Sequence, residues 1–116
     1  MIGRITLSAL LLAAGITAAR AHATLDHASP SVGSTIAQAP SRLTLSFTQS
    51  LEPAFSGATV VDGSGKRVDT GARASGTTLQ ISLKALPPGT YKVNWHVLSV
   101  DTHKTQGSYS FSVGGR

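Results

Sequence analysis

An all-β fold, an immunoglobulin-like Greek-key β-sandwich or barrel of about seven strands, is what this sequence predicts. Three observations carry that expectation: apolar and polar residues alternate along several short segments, turn-forming residues separate those segments, and no stretch of the domain keeps helical periodicity. Alternation matters because successive side chains of a strand point to opposite faces of a sheet, so a half-buried antiparallel strand reads apolar-polar-apolar.

Taken in order, the first strand is expected near residues 23 to 28 and is closed by Ser29-Pro30 and Gly33. Leu43, Leu45 and Phe47 alternate with Thr44, Ser46 and Thr48, which predicts a strand over 42 to 48. Strands near 57 to 62 and 66 to 70 flank Asp62-Gly63-Ser64-Gly65, a hairpin turn. After the Ser75-Gly76 turn, Leu79, Ile81 and Leu83 alternate with Gln80, Ser82 and Lys84 in a strand near 77 to 83. Pro87-Pro88-Gly89 leads into a strand near 90 to 98, with Tyr91, Val93, Trp95 and Val97 on one face and Lys92, Asn94 and His96 on the other. Tyr109, Phe111 and Val113 alternate with serines in a final strand near 107 to 113. With six aromatic residues in all, Trp95, Phe47, Phe55 and Phe111 are expected to supply much of the core's large apolar area.

The 116 residues make room for one domain, and the absence of cysteine excludes a disulfide, a thiolate metal site and a cysteine nucleophile. Residues 1–21 read as a signal peptide: Arg4 is the positive head, Ile5 to Ala14 the apolar run, and Ala19-Arg20-Ala21 the cleavage site. A run of about ten apolar residues falls short of the roughly twenty needed to span a membrane, so no membrane insertion of the mature chain is expected. The domain is then 22–116. Setting aside Arg4 and Arg20 leaves eight basic against five acidic residues, a net of +3, scattered without a stripe, and nucleic acid is not an expected partner.

Cleavage before His22 would free an α-amine beside the imidazole of the same residue, and the two nitrogens can close a chelate ring on a metal such as Cu(II). By itself a lone first histidine is explained by chance, and His22 needs a partner. Further on, Asp101-Thr102-His103 places an acid and an imidazole on one side of an extended segment, about 7 Å apart at ~3.3 Å per residue. Such a pair can also be a solvated loop, or an aspartate that orients its histidine. Joined to His22, it completes a three-nitrogen, one-oxygen set that suits tetragonal Cu(II). His96, opposite Trp95, is expected as a surface residue; His27, in a straight strand, projects opposite His22 and is at most an outer or weak contributor.

Catalytic patterns are missing. No G-x-S-x-G elbow is present, Glu52 is the sole glutamate, and the glycines form no phosphate cradle, so an enzyme is not expected.

Over nearly all of residues 22 to 116 the chain resembles the CopC family of periplasmic copper-resistance proteins. The likeness rests on His22, Ser29-Pro30 with Gly33-Ser34, Leu43-Thr44-Leu45-Ser46-Phe47 and Phe55-Ser56-Gly57. Above all it rests on Gly89-Thr90-Tyr91-Lys92-Val93-Asn94-Trp95, leading into Ser99-Val100-Asp101-Thr102-His103 and Gly107. The resemblance implies a periplasmic Greek-key barrel that holds Cu(II) at one site through His22, Asp101 and His103, for sequestration or for delivery to a CopD-type inner-membrane copper transporter. Where some members place a glutamate near the metal this chain has Gln49, for which the resemblance implies a hydrogen-bonding neighbour of the site that brings no negative charge. The Met-rich Cu(I) loop of some members has no counterpart, because Met1 is the only methionine.

Two other readings use the same residues. A histidine-brace copper mono-oxygenase would share the amine and two imidazoles, although Asp101 would then fill the position that oxygen activation leaves open. An exported immunoglobulin-like assembly module would carry its histidines incidentally.

Overall fold

The structure is a computed structural model that describes residues 23–114. The expected signal peptide over 1–21 and the expected ligand His22 lie outside the described residues. Strands β1 (Leu25–Ser29), β2 (Thr35–Ile36), β3 (Arg42–Phe47), β4 (Gly57–Val61), β5 (Asp69–Ser75), β6 (Thr78–Leu83), β7 (Gly89–Leu98) and β8 (Lys104–Val113) make up two sheets, with one short 3-10 turn among the described residues, at Pro53–Phe55. One sheet has the order β1-β3-β6-β5, the other β2-β8-β7-β4. All neighbours are antiparallel except β2 and β8. With β1, β3, β6 and β5 facing β4, β7 and β8, this is the strand order of an immunoglobulin sandwich, as the alternation predicts.

The alternating residues do what their spacing requires. Leu43, Leu45, Leu79 and Ile81 point inward from one sheet and meet Val60, Val93, Val97 and Phe111 from the other, all essentially sealed from solvent. The Tyr91 ring stacks on Phe111 with centroids 5.6 Å apart. Its hydroxyl donates to the Pro87 carbonyl four residues upstream, the tyrosine corner that fixes the crossover from one sheet to the next in this architecture. Trp95 is half-buried at the rim of the core and meets Phe47 edge-on at 5.1 Å and 70°. The indole lies over Gly107, where a Cβ would come within 2.6 Å of Trp95 Cζ2, so that position has room for glycine alone.

A buried carboxylate, Asp69, ties β5 to β4 and is paired with the exposed Arg67. The Asp69 carboxylate accepts from the Val60 amide at 2.9 Å and from Arg67 Nε and Nη2 at 2.8 Å each. The Arg67 guanidinium, helped by the Val60 amide, holds the Asp69 carboxyl below the usual carboxylate range against the cost of burial.

The strands and core depart from expectation in four places. β2 is an eighth strand, two residues long, that exists because it pairs in parallel with β8. The strand expected near 66 to 70 is displaced to 69–75: Arg67 makes only an isolated bridge to Val61 before the chain crosses to the other sheet. β8 begins at Lys104 rather than near 107 and stays in register with β7 through Leu98↔Lys104. Phe55 is not a core residue. It is 64% exposed, because the Pro53–Phe55 turn lifts it off the end of the sandwich.

Candidate metal centre

The unbroken β7–β8 register makes residues 99–103 the connection of a hairpin. Within it the Ser99 amide donates to the His103 carbonyl at 3.0 Å, and the Thr102 amide to the Ser99 carbonyl at 2.8 Å. Thr102 has φ of 73°, a left-handed conformation that a β-branched side chain rarely adopts. The extended Asp101-Thr102-His103 segment expected from sequence is therefore corrected to a turn, and the turn brings the two side chains much closer than ~7 Å. His103 Nδ1 lies 3.3 Å from Asp101 Oδ1. Two donors at right angles on an ion, each ~2.0 Å from it, stand about 3 Å apart, so this spacing fits neighbouring positions of one tetragonal metal.

Asp101 is held in its ionised form before any metal arrives. The hydroxyl of Ser99, a residue with no exposed surface, donates to Asp101 Oδ1. That hydrogen bond, with the His103 imidazole beside it, keeps the Asp101 carboxyl below the usual carboxylate range despite partial desolvation. Asp101 and His103 remain only a pair, since among the described residues no group of three or more His, Cys, Asp or Glu converges. A tetragonal ion at this turn would find no further histidine, cysteine or carboxylate donor among the described residues.

Two further stretches of main chain converge on the hairpin turn. Ala23 is fully buried, and its carbonyl accepts from Thr105 Oγ1 at 2.8 Å. Thr24 and Thr48 join through a pair of bonds, Thr24 N to Thr48 Oγ1 and Thr48 N to the Thr24 carbonyl, each 3.0 Å. The Val100 amide donates to the Ser50 carbonyl at 3.0 Å, and Leu51 bridges Ser99. Gln49, half-buried, thus sits on the bend between a residue bound to the start of the described chain and a residue bound to the Asp101 loop.

The other histidines stay apart. His96 is exposed on the outer face of the β2-β8-β7-β4 sheet, as expected, with its imidazole above Gly57, where a Cβ would lie 3.2 Å from Cε1. His27 does not follow straight-strand parity. A bulge between Leu25 and His27 turns both Asp26 and His27 to solvent, and His27 Nδ1 lies 3.5 Å from Asp26 Oδ2.

Comparison with known proteins decides the family. The CopC domain profile matches residues 25–114. The chain belongs to the CopC family. Among relatives of this CopC chain, Protein YobA of Escherichia coli strain K12 is 40% identical over 98 residues, covering 80% of this chain and 79% of its own. Copper resistance protein C of Xanthomonas campestris pv. juglandis is 36% identical over 121 residues, covering 94% of each. The crystal structure of CopC from Methylosinus trichosporium OB3b superposes with a TM-score of 0.77 at 35% identity, over 82% of this chain and 96% of that one. No helix among the described residues is long and apolar enough to cross a membrane.

Sequence reasoning about this CopC domain missed Ser99 and Thr105, which hold Asp101 and Ala23 by hydrogen bonds without resembling ligands. Ser99 could have been found as a hydroxyl two residues before an acid in a turn. Thr105 carries no such signal, because its partner Ala23 is 82 residues away.

Proposed function

We propose that this CopC-family protein is an exported binder of one Cu(II) ion, held by the α-amine and imidazole of His22, by Asp101 and by His103, with Gln49 alongside as a hydrogen-bonding neighbour. The observation that carries this reading is the Thr105–Ala23 hydrogen bond, since residue 22 is one peptide, about 3.8 Å between Cα atoms, from a residue fastened to Thr105, two positions after His103 in the chain. Removal of residues 1–21 in the periplasm liberates the amine. Three neutral nitrogens and one carboxylate suit Cu(II), and with Met1 as the only methionine there is no thioether pair to favour Cu(I).

Asp101 brings a negative charge that is already in place, so the domain spends little reorganisation on capture. With four donors around the ion no open equatorial position is left for oxygen, which favours a carrier over an oxidase. The domain either sequesters copper or passes it to a CopD-type inner-membrane transporter. The relatives named as copper resistance proteins support this direction.

The test is a Cu(II) titration of the processed, secreted protein. A d–d absorption band should saturate at one ion per chain. His103→Ala should weaken binding by roughly a hundredfold or more, whereas His96→Ala should change it by less than about twofold. Equal losses in both variants, or no band at all, would return the chain to an immunoglobulin-like assembly module.

A further inference from the structure

The outer face of the β1-β3-β6-β5 sheet carries a feature unrelated to copper. Along it Arg42 stands opposite Ser82, and Ser82 opposite Gly71; on the next outward row Thr44 stands opposite Gln80, and Gln80 opposite Arg73. Arg42 and Arg73 therefore occupy diagonal corners, their backbones about 12 Å apart from strand spacing of ~4.8 Å and rise of ~3.4 Å per residue. Both line one depression of about 400 Å³ floored by Gln80 and Ser82.

Backbone geometry opens that depression. β5 bulges between Asp69 and Gly71, and Gly71 has φ of 149°, which L side chains rarely adopt. On its β5 side Ser82 faces Gly71, which carries no side chain, and the space above Gly71 is open.

Around the two arginines its electrostatics are one-sided, since Asp26 of β1, exposed beside His27, lies at the opposite end of β3 from Arg42. The only acidic residue of β3, β5 and β6 is Asp69, which points inward and is bound to Arg67. Neither Arg42 nor Arg73 has an ion-pair or hydrogen-bond partner for its guanidinium among the described residues. Two neighbouring guanidiniums with no carboxylate repel each other, and an oxyanion between them removes that cost while accepting forked hydrogen bonds from each. The Gln80 amide and the Ser82 hydroxyl add donors on the floor.

We propose that Arg42, Arg73, Gln80 and Ser82 form a binding site for a phosphate-bearing anion, independent of the metal centre. The phosphate can belong to a soluble compound or to a lipid headgroup, and the experiment separates the two. Pyrophosphate is titrated into the intact domain at low ionic strength by calorimetry, and vesicles of equal parts phosphatidylglycerol and phosphatidylcholine are tested by co-sedimentation. Arg42→Gln and Arg73→Gln should each weaken binding about tenfold. Lys92→Gln, the same loss of charge on the other sheet's outer face, should change it less than about twofold. Copper binding and the thermal midpoint should be unchanged in all three, because these side chains are exposed.

Saturable pyrophosphate binding without vesicle binding assigns the site to soluble phosphates. Vesicle binding that the two arginine variants lose, without pyrophosphate binding, assigns it to headgroups. Failure of both ligands to bind, or an equal loss in Lys92→Gln, overturns the proposal and leaves two solvated arginines.

Discussion

Thr105 Oγ1 donates a 2.8 Å hydrogen bond to the carbonyl of Ala23, joining the second residue of β8 to a buried residue 82 positions earlier. Through this bond the front of the domain lies against the strand that His103 leads into. Thr105→Val keeps the shape of the side chain and deletes the donor. A single neutral hydrogen bond contributes about 1 kcal/mol, so Cu(II) affinity should drop roughly fivefold, with a modest fall in thermal stability. Competition against a chelator of known affinity measures the first and a thermal melt the second. An unchanged copper affinity would mean that this tether does not position the metal ligands.

Much of the fold is legible in the chain because periodicity is a local signal. Leu43, Leu45 and Phe47, or Tyr91, Val93 and Val97, report their burial through spacing alone. The misses have physical reasons. Two residues of β2 hold no period, and β5, with small residues and a bulge at Gly71, shows four exposed positions in a row. Phe55 looks like core by type, yet Pro53 starts a turn that carries it outward. At the candidate metal centre Asp101 and His103 were legible as candidate donors. Their approach was not, since it depends on Thr102 adopting a backbone conformation that its own side chain disfavours. The convergence of residues 23, 50 and 100 is long-range, and no window of sequence contains it.

The two tyrosines of the core should respond oppositely to loss of their hydroxyls. Tyr91 donates to Pro87, so Tyr91→Phe should cost about 1 kcal/mol. The buried Tyr109 hydroxyl has no hydrogen-bond partner among the described residues, and burial pushes its pKa up to about 12. Tyr109→Phe removes an unsatisfied polar atom and should be neutral or stabilising within about 1 kcal/mol. Urea unfolding of both variants decides the matter; a larger loss in Tyr109→Phe contradicts the core described above.

Acid should unfold the domain partly through Asp69. Arg67 and the Val60 amide depress its pKa in the folded state, so the stabilisation is fully present above the unfolded value of about 3.9 and is lost as pH falls through the lower folded value. Asp69→Asn should cost about 2 kcal/mol at neutral pH and flatten the decline of stability below pH ~4. Denaturant unfolding at a series of acidic pH values gives the comparison. Parallel curves for the two proteins would place the acid sensitivity elsewhere.

The proposed metal set of Asp101 and His103 is completed by a liberated amine on His22. The most direct test compares Cu(II) affinity of the chain that starts at His22 with one that keeps Ala21 in front, where the same nitrogen is an amide. Adding that single residue should weaken binding by roughly a thousandfold or more and shift the d–d band, since an amide nitrogen cannot coordinate as a neutral donor. Equal affinity and an identical spectrum in the two proteins would contradict the account.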